Sequence, residues 1–436
     1  MTDINELARQ FKQLEDQLVI CIRCGMCQAA CPVFEQTGRE ADVARGKLAL
    51  LNGLMARMFD DPVGVSNRLN KCLLCGSCAA NCPSGVNALE IFITARGILT
   101  GFMGLSPAKK IIFRQMLSRP KLFNSLLGMA KKFQGLVSKE NQNTQGTSCA
   151  RFDLPLVGHR HFKPLSKTAF HQVQRTLELP ENKNGTRVAF FTGCLIDKIF
   201  PQIALATVTI FKHHDISLAV PENQGCCGIP ALASGDRDTF DALVRHHIDL
   251  LDPESANQEP FDFLVTACAT CTSTIKKLWP ALTPDSDPDL KEKASRLAEK
   301  TMDINQFLVD VANVDDSSPD ATGRRVTYHD PCHLKKSLGI SEQPRKLIKA
   351  AGFTLSEMAG ADKCCGMGGS FNLFHYDISS RIGNLKQQNI VDTGCDTIAT
   401  GCPACMMQIS DMLSKAGTDV QVKHPVELYA DAIQAP

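Results

Sequence analysis

The hydrophobic pattern of the chain changes along its length. Residues 40–59 carry apolar side chains at helical spacing, with none of the alternation of a strand. Further along, β-rich apolar runs each lead into a cysteine and then an amphipathic helix; the runs are VAFFTGC, FLVTACATC and TIATGCPAC. Strands that alternate with helices predict βαβ units and a parallel sheet. We therefore expect a mostly helical first part and an α/β second part.

An internal repeat organises the second part. Each copy begins with a strand-like run that closes in a lone cysteine, RVAFFTGC in one copy and RVTYHDPC in the other. An adjacent cysteine pair follows after 31 intervening residues, and a C-x-x-C comes later. Corresponding lone cysteines and pairs are 138 residues apart, and the C-x-x-C motifs 134, which indicates a duplicated domain. The two sets are Cys194, Cys226, Cys227, Cys268 and Cys271, and Cys332, Cys364, Cys365, Cys402 and Cys405.

The position of these cysteines predicts a ligand site in each copy. Open α/β sheets bind ligands at the carboxyl ends of their strands, and a helix that begins there offers free N–H groups to an anionic cluster. Adjacent side chains of an extended chain point to opposite sides, so a cysteine pair serves one centre only where the backbone turns sharply. Glycines that permit such a turn surround the pairs, although Lys363 replaces one in the second copy; they are Gly225, Gly228, Gly366, Gly368 and Gly369.

A second repeat lies near the start of the chain. The spacing C-x2-C-x2-C-x3-C-P occurs twice, 51 residues apart. In two-cluster ferredoxins, the first three cysteines of such a run bind one iron–sulfur cubane and the fourth binds the other. Zinc sites instead use two pairs of ligands, so this spacing favours iron–sulfur. The crossed assignment predicts one cluster on Cys21, Cys24, Cys27 and Cys82, and another on Cys72, Cys75, Cys78 and Cys31.

Composition limits the cellular compartment and the classes of partner that we expect for this protein. The chain has 20 cysteines, and only Cys149 and Cys395 lie outside the two repeats; we expect these two to be structural. The amino-terminal residues are charged and lack the apolar core of a signal peptide, and no apolar run is long enough to span a membrane. We therefore expect a cytoplasmic protein whose cysteines bind metal and do not form a disulfide scaffold. The net charge of +1 argues against nucleic acid as a partner.

These motifs together resemble a known family, the iron–sulfur proteins with cysteine-rich "CCG" domains. The family includes the iron–sulfur subunits of glycolate oxidase, of D-lactate dehydrogenases and of anaerobic glycerol-3-phosphate dehydrogenase, as well as heterodisulfide reductase subunits. Two ferredoxin-type motifs, a linker and two CCG repeats on one chain are most similar to the glycolate oxidase iron–sulfur subunit. The resemblance covers nearly the whole sequence, and its motifs are specific for the superfamily but not for the substrate.

The resemblance implies an α+β multidomain protein. Its parts are a mostly helical ferredoxin-type domain with two 4Fe-4S clusters, a basic helical linker, and two α/β CCG domains. The predicted boundaries are 1–100, 101–180, 181–320 and 321–436.

The resemblance also implies cofactors beyond the two cubanes. Each complete five-cysteine set is similar to sets that bind a non-cubane 4Fe-4S cluster, so we expect one or two further clusters held by the ten CCG cysteines. The alternative is that one set holds zinc, or an ordinary cubane with a spare thiol. No glycine-rich nucleotide or flavin motif occurs, so FAD is expected on a partner subunit. No residue of this chain is assigned a catalytic role.

Three functions compete. The first is electron transfer from an FAD-containing 2-hydroxy-acid dehydrogenase subunit, acting on glycolate or D-lactate, to quinone or another carrier. On this interpretation the chain belongs to an oxidoreductase but does not act on the hydroxy acid alone. A related variant is a glycerol-3-phosphate dehydrogenase iron–sulfur subunit. The second function is disulfide cleavage at the non-cubane clusters, and the third is a zinc-bound docking scaffold.

A basic segment suggests a surface contact. Residues 91–139 contain nine lysines or arginines and no acidic residue, interleaved with apolar positions. This pattern is typical of a basic amphipathic helix pair on an anionic membrane, here the inner face, while an acidic protein partner and a solvated linker remain alternatives. The basic residues are Arg96, Lys109, Lys110, Arg114, Arg119, Lys121, Lys131, Lys132 and Lys139.

Other residues are weaker candidates. Arg45, Gly46 and Lys47 resemble a family segment after the first cysteine run, but a solvated helix start explains them equally well. His329 and His333 flank Cys332 and are candidates for hydrogen bonding to cluster sulfur, although a surface or core histidine is the simpler interpretation. Met406 and Met407 are expected to pack without chemistry.

Overall fold

The computed structural model describes most of the chain. The described residues are 4–140, 146–151, 158–182, 185–252, 259–315 and 323–434. Within them the protein combines helices with two parallel sheets, which confirms the predicted fold class.

The first part is helical. Short 3-10 turns at Lys12–Leu14 and Glu40–Asp42 interrupt its helices. The helix predicted within residues 40–59 is Ala44–Met55, and it buries Leu48, Leu51 and Leu54. The complete set is Ile4–Phe11, Glu15–Leu18, Met26–Ala30, Pro32–Thr37, Ala44–Met55, Pro62–Asn70, Ser77–Ala80 and Ala88–Met103.

The linker is only partly helical. Helices Pro107–Lys110 and Pro120–Val137 flank a wide π-helical stretch, Ile111–Leu117. A small antiparallel sheet follows, formed by β1 (Ser138–Glu140), β2 (Ser148–Ala150) and β3 (His161–Phe162). Its strands are two or three residues long, too short to show an alternating pattern, so the sequence did not predict them. Helix Phe170–Val173 and a 3-10 turn, Gln174–Thr176, complete the linker.

No single helix of the described residues is long and apolar enough to cross a bilayer. Ala88–Met103 and Pro107–Leu117 meet that criterion only together, as a pair bent by 112°.

The second part contains two sheets with the same topology. The strands are β4 (Arg187–Phe190), β5 (Ser217–Ala219), β6 (Phe263–Thr266) and β7 (Thr301–Asp303), then β8 (Arg325–Tyr328), β9 (Thr354–Leu355), β10 (Thr397–Ala399) and β11 (Gln421–Lys423). The order is β5-β4-β6-β7 in the first sheet and β9-β8-β10-β11 in the second, and all neighbours are parallel. The predicted duplication is therefore confirmed, and each sheet reverses its strand order between its first and third strands, where such sheets bind ligands.

Helices cover both sheets. Around the first sheet they are Gly193–Lys198, Pro201–His213, Ile229–Ala233, Arg237–Leu251, Ala269–Ser273, the π-helical Thr274–Leu278, Trp279–Leu282, Pro288–Lys300 and Ile304–Asp310. Around the second sheet they are the π-helical His333–Ser337, Glu342–Ala350, Ser370–Phe374, Tyr376–Val391, Pro403–Lys415 and Pro425–Gln434.

The two copies pack on each other reciprocally. The last helix of the first copy, Ile304–Asp310, contacts Glu342–Ala350 of the second, and Pro425–Gln434 contacts Pro201–His213 of the first. The backbone N–H of Ala269 donates to the carbonyl of Gly401 at 3.0 Å, so the two C-x-x-C turns touch. This packing brings the ligand-binding edges of the two sheets together.

Candidate iron–sulfur sites

The eight ferredoxin-type cysteines line two neighbouring cavities. The first is lined by Cys21, Cys24, Cys27 and Cys82, and the second by Cys31, Cys72, Cys75 and Cys78; Cys78 reaches both. The structure thus brings together the members of each set that the crossed assignment predicts. Gly25 and Gly76, at matching positions of the two runs, adopt φ values of 88° and 73°, which only glycine tolerates easily.

The donors around these cavities suit an iron–sulfur cluster. Backbone N–H groups donate to cysteine sulfur: Phe34 to Cys31 at 3.5 Å, and Val86 to Cys82 at 3.4 Å. Burial raises the pKa of the Cys31 thiol to about 11. A buried thiol of this kind ionises when a metal cation binds it, and the N–H groups stabilise the resulting sulfur charge.

Two cationic side chains accompany these cysteines, and one of them is buried. Lys47 is 1% exposed, lines the second cavity and donates to the carbonyl of Asp42. Arg45 lines the first cavity and pairs with Glu40 at 2.6 Å. Gly46 lies between them, and a Cβ there would stand 2.0 Å from the carbonyl oxygen of Glu40. A solvated helix start is therefore the wrong interpretation for Lys47.

Arg96 also differs from the sequence prediction. The sequence pattern places it in the basic surface segment, but it is buried and donates to the carbonyls of Leu69 at 2.6 Å, Cys72 at 2.9 Å and Ala233 at 2.6 Å. Membrane contact by this side chain is therefore excluded, because its guanidinium satisfies buried carbonyls and joins the ferredoxin-type part to the first α/β domain.

The five cysteines of the first copy form one connected group. Cys194 lies in the helix after β4, and Cys268 and Cys271 lie at the start of Ala269–Ser273 after β6. Thiol hydrogen bonds join Cys226 to Cys194 and Cys227, Cys227 to Cys271, and Cys271 to Cys268. The chain turns at Gly228, directly after the cysteine pair, where φ is +97°. A Cβ at this position would lie only 2.7 Å from the ring of Phe240.

The second copy repeats this arrangement. Thiol hydrogen bonds join Cys364 to Cys332 and Cys365, Cys365 to Cys405, and Cys405 to Cys402. Gly366 stands where the first copy has Gly228, with φ +94°, and a Cβ there would lie 2.7 Å from the carbonyl oxygen of Ser379. The predicted glycine turn is thus present in both copies.

One thiol sits at the centre of each set. Hydrogen bonds from Cys226 and Cys271 lower the pKa of Cys227, and hydrogen bonds from Cys364 and Cys405 lower that of Cys365 in the same way. The five thiols of each set, gathered closely and without a carboxylate among them, are soft ligands of the kind that iron–sulfur clusters and zinc prefer.

The sites lie beside one another in a line. The thiol of Cys75, in the second ferredoxin-type set, is hydrogen-bonded to Cys364 of the second copy. At the other side of that copy, Cys402 is hydrogen-bonded to Cys268 of the first copy. Neighbouring sites therefore share thiol contacts, in the order ferredoxin-type sites, second copy, first copy.

Polar contacts hold this line together. Lys336 donates to Ser77 Oγ at 2.6 Å, and Ser77 Oγ lies 3.4 Å from the sulfur of Cys75. His333 Nδ1 lies 3.0 Å from Thr270 Oγ1, which lies 3.4 Å from the sulfur of Cys402. His333 thus reaches the sulfur of Cys402 through the hydroxyl of Thr270. The sequence offered no signal for Lys336 or Thr270, because their roles depend on contacts between domains.

Of the remaining predicted residues, two cysteines and two methionines lie apart from these contacts, whereas His329 lies next to them. Cys149 is on β2, paired with Lys139 and His161, and the Cys395 thiol donates to the carbonyl of Thr393 at 4.0 Å. Met406 is 1% exposed and belongs to the hydrophobic core, and Met407 packs against it. His329 is completely buried beside Cys365 and Cys405.

The fold and the sites define a class of protein. Residues 17–86 match the model of a 4Fe-4S dicluster domain, and residues 188–276 and 326–410 each match the cysteine-rich domain. The chain is therefore an iron–sulfur protein with one dicluster domain and two cysteine-rich domains.

Sequence comparison with curated proteins identifies relatives of the whole chain and of parts of it. It is 26% identical to the probable glycolate oxidase iron-sulfur subunit of Bacillus subtilis, over 99% of this chain and 98% of that one. It is 31% identical to lactate utilization protein A of an Exiguobacterium species, over 57% of this chain and 98% of that one. A fumarate reductase (CoM/CoB) subunit of Methanothermobacter marburgensis is 27% identical, over 94% of this chain and 71% of that one. The chain belongs to this family of iron–sulfur subunits, as its motifs predicted.

A solved structure matches the fold alone. A hypothetical protein from Helicobacter pylori gives a TM-score of 0.55 at 10% identity, over 100% of this chain and 77% of that one.

Proposed function

We propose that this chain is the iron–sulfur electron-transfer subunit of a flavin-dependent 2-hydroxy-acid dehydrogenase for glycolate or D-lactate. The observation that carries the proposal is the line of thiol contacts that joins the ferredoxin-type sites to both CCG sites. Such a line suits single-electron steps between clusters that lie side by side. Two cubanes would occupy the ferredoxin-type sites, and one 4Fe-4S cluster would occupy each CCG site.

The donor on this proposal is a flavoprotein subunit. Oxidation of a hydroxy acid needs an organic cofactor to take a hydride, and iron–sulfur clusters then accept the electrons singly. Cys24, in the first ferredoxin-type set, is solvent-exposed, and four exposed apolar side chains lie within five residues of it in the sequence. These features support docking of the flavoprotein at this end; the four side chains are Val19, Ile20, Ile22 and Met26.

The other end of the line lies near an open groove of about 410 Å³. Lys198 and His171 line it, and Lys198 lies one helical turn after Cys194 on the same short helix. Of the described residues that line the groove, none is acidic. A short path from Cys194 and nearby proton donors support this groove as the place where quinone or another carrier takes the electrons.

A membrane contact would bring this end close to quinone. Helix Pro120–Val137 borders the groove and has no buried side chain, while Met129, Phe133 and Leu136 are each more than half exposed. Lysines and exposed apolar residues on one helix favour an anionic bilayer surface. We therefore propose peripheral attachment to the inner face of the membrane, with an acidic protein partner as the alternative.

Disulfide cleavage is the second candidate. A relative named as a fumarate reductase (CoM/CoB) subunit and two complete five-cysteine sets favour it. Against it, eight of the ten CCG cysteines are buried, and only Cys194 and Cys332 are partly exposed. Electrons reach such sites through protein, whereas a disulfide substrate needs direct access to a cluster.

The test is stopped-flow reduction of the iron–sulfur absorbance on adding D-lactate or glycolate. We expect reduction only when a flavoprotein subunit is present, and onward reduction of a short-chain quinone in the wild type. Cys365→Ser should keep reduction of the ferredoxin-type clusters but slow quinone reduction at least about tenfold, because one step of the line is lost. Cys75→Ser should impair both stages.

Cys149→Ser is the matched control, since Cys149 lies outside all four sites, and it should behave as the wild type. Rapid disulfide reduction by the isolated chain, lost in Cys365→Ser and without electron uptake from any hydroxy-acid flavoprotein, would establish the second candidate instead.

A further inference from the structure

The two CCG sites differ at one buried position. His329 stands three residues before Cys332, and the corresponding residue of the first copy is Phe191, three residues before Cys194. Their backbones match, because each N–H donates to the neighbouring third strand, to Ala399 at 2.9 Å and to Val265 at 2.8 Å. The two side chains therefore extend from equivalent backbone positions, and only His329 carries a metal-binding atom.

The hydrogen bonds of His329 determine its tautomer. Nδ1 lies 3.0 Å from the carbonyl oxygen of Ala361, which also accepts from Lys386 Nζ at 3.2 Å and from the N–H of Asp330 at 3.1 Å. A carbonyl oxygen only accepts, so Nδ1 carries the proton of the neutral ring. Nε2 therefore presents a bare lone pair.

That lone pair has no hydrogen-bond partner among the described residues, although Nε2 is buried. A ring nitrogen of His329 and the sulfurs of Cys365 and Cys405 all lie within 4.8 Å of one another. Because Nδ1 is engaged by Ala361, Nε2 is the nitrogen available to this group. A bare imidazole nitrogen and two cysteine sulfurs gathered in this way are donors that one soft or borderline metal ion can bind together.

Metal geometry accounts for this arrangement. Metal–nitrogen and metal–thiolate bonds of about 2.0–2.3 Å place ligands of one ion within about 4.6 Å of each other. The His329 nitrogen and the two sulfurs, all within 4.8 Å of one another, are therefore near enough for one ion to bind them. A proton held on the far nitrogen by a backbone carbonyl is the usual support of a histidine that binds metal.

We infer that His329 is a metal ligand of the second CCG site, through Nε2, together with Cys365 and Cys405. The first site has Phe191 instead and takes sulfur ligands alone. This inference rests on the metal-binding part of the proposed function and not on the electron relay. A neutral imidazole among thiolates raises the potential of an iron–sulfur centre, as in Rieske centres, so the two CCG sites would differ in potential.

His333 provides the matched control. It lies one residue after Cys332, but its Nδ1 bonds to Thr270 and its ring also bonds to the backbone of Leu74, so neither nitrogen is available. His329→Phe copies the first site, His329→Gln keeps a polar side chain of similar reach, and His333→Gln removes the other histidine of the segment.

The experiment uses the full chain, reconstituted with iron and sulfide without oxygen and labelled with 15N-histidine. Pulsed EPR measures nitrogen coupling to the paramagnetic centre whose signal is lost in Cys365→Ser. If metal analysis finds zinc in the second CCG site, zinc-edge X-ray absorption is used instead of EPR to detect the nitrogen ligand. We expect one coupled histidine nitrogen in the wild type and in His333→Gln, and none in His329→Phe or His329→Gln. Unchanged signals of the ferredoxin-type clusters establish that each variant is folded.

Two results would overturn the inference. The first is a metal-loaded second site without a histidine nitrogen, or with one that survives in both His329 variants, and this leaves the proposed function intact. The second is equal metal content in the wild type and Cys365→Ser. This result would mean that the wild type binds no metal at this site, and it would refute the metal-binding part of the proposed function as well.

Discussion

At the scale of single residues, Lys47 is the cation whose effect is easiest to isolate. It is 1% exposed beside the cavity of Cys31 and Cys72. A positive charge there stabilises the reduced, more negative cluster, so Lys47→Met should lower its midpoint potential by on the order of 50–100 mV at an effective dielectric constant near 20. Potentiometric titration followed by EPR measures the shift. Lys12→Met, which removes an exposed lysine, should change nothing; an equal shift in both variants contradicts this view.

At the scale of elements, helix Pro120–Val137 is the test of membrane attachment. In flotation with vesicles containing phosphatidylserine, we expect binding that weakens at high salt, because screening reduces the attraction of its lysines. Phe133→Asp combined with Leu136→Asp should reduce binding at least about tenfold, since each apolar side chain contributes roughly 1.5–3 kcal/mol when buried. Leu385→Asp, at an exposed leucine of another helix, is the control. Equal binding to neutral vesicles, or none, favours an acidic partner.

At the scale of the whole molecule, the two repeats determine how much metal the chain holds. Two cubanes and two CCG clusters predict about 16 iron atoms per chain, measured together with zinc after anaerobic reconstitution. Cys332→Ser should lower the iron content without affecting the ferredoxin-type EPR signals, because the two classes of site use separate cysteines. A stable content of about eight iron and about two zinc would assign zinc to the CCG sites and spare the ferredoxin-type sites.

The sequence by itself determined the local features of this protein. Cysteine spacing within a few residues constrains which thiols converge, so both repeats, the crossed sets and the glycine turns at Gly228 and Gly366 were predictable. Periodicity likewise predicted the helix Ala44–Met55 and the strands before the CCG cysteines.

Only the tertiary structure decided what depends on contacts between distant segments. The contacts of Cys75 with Cys364 and of Cys268 with Cys402 set the order of the sites, and the burial of Arg96 removed it from the surface segment. The free nitrogen of His329 arises in the same way, because the carbonyl that holds its proton lies 32 residues away. Spacing along a chain carries no information about such pairs, since packing alone brings them within reach.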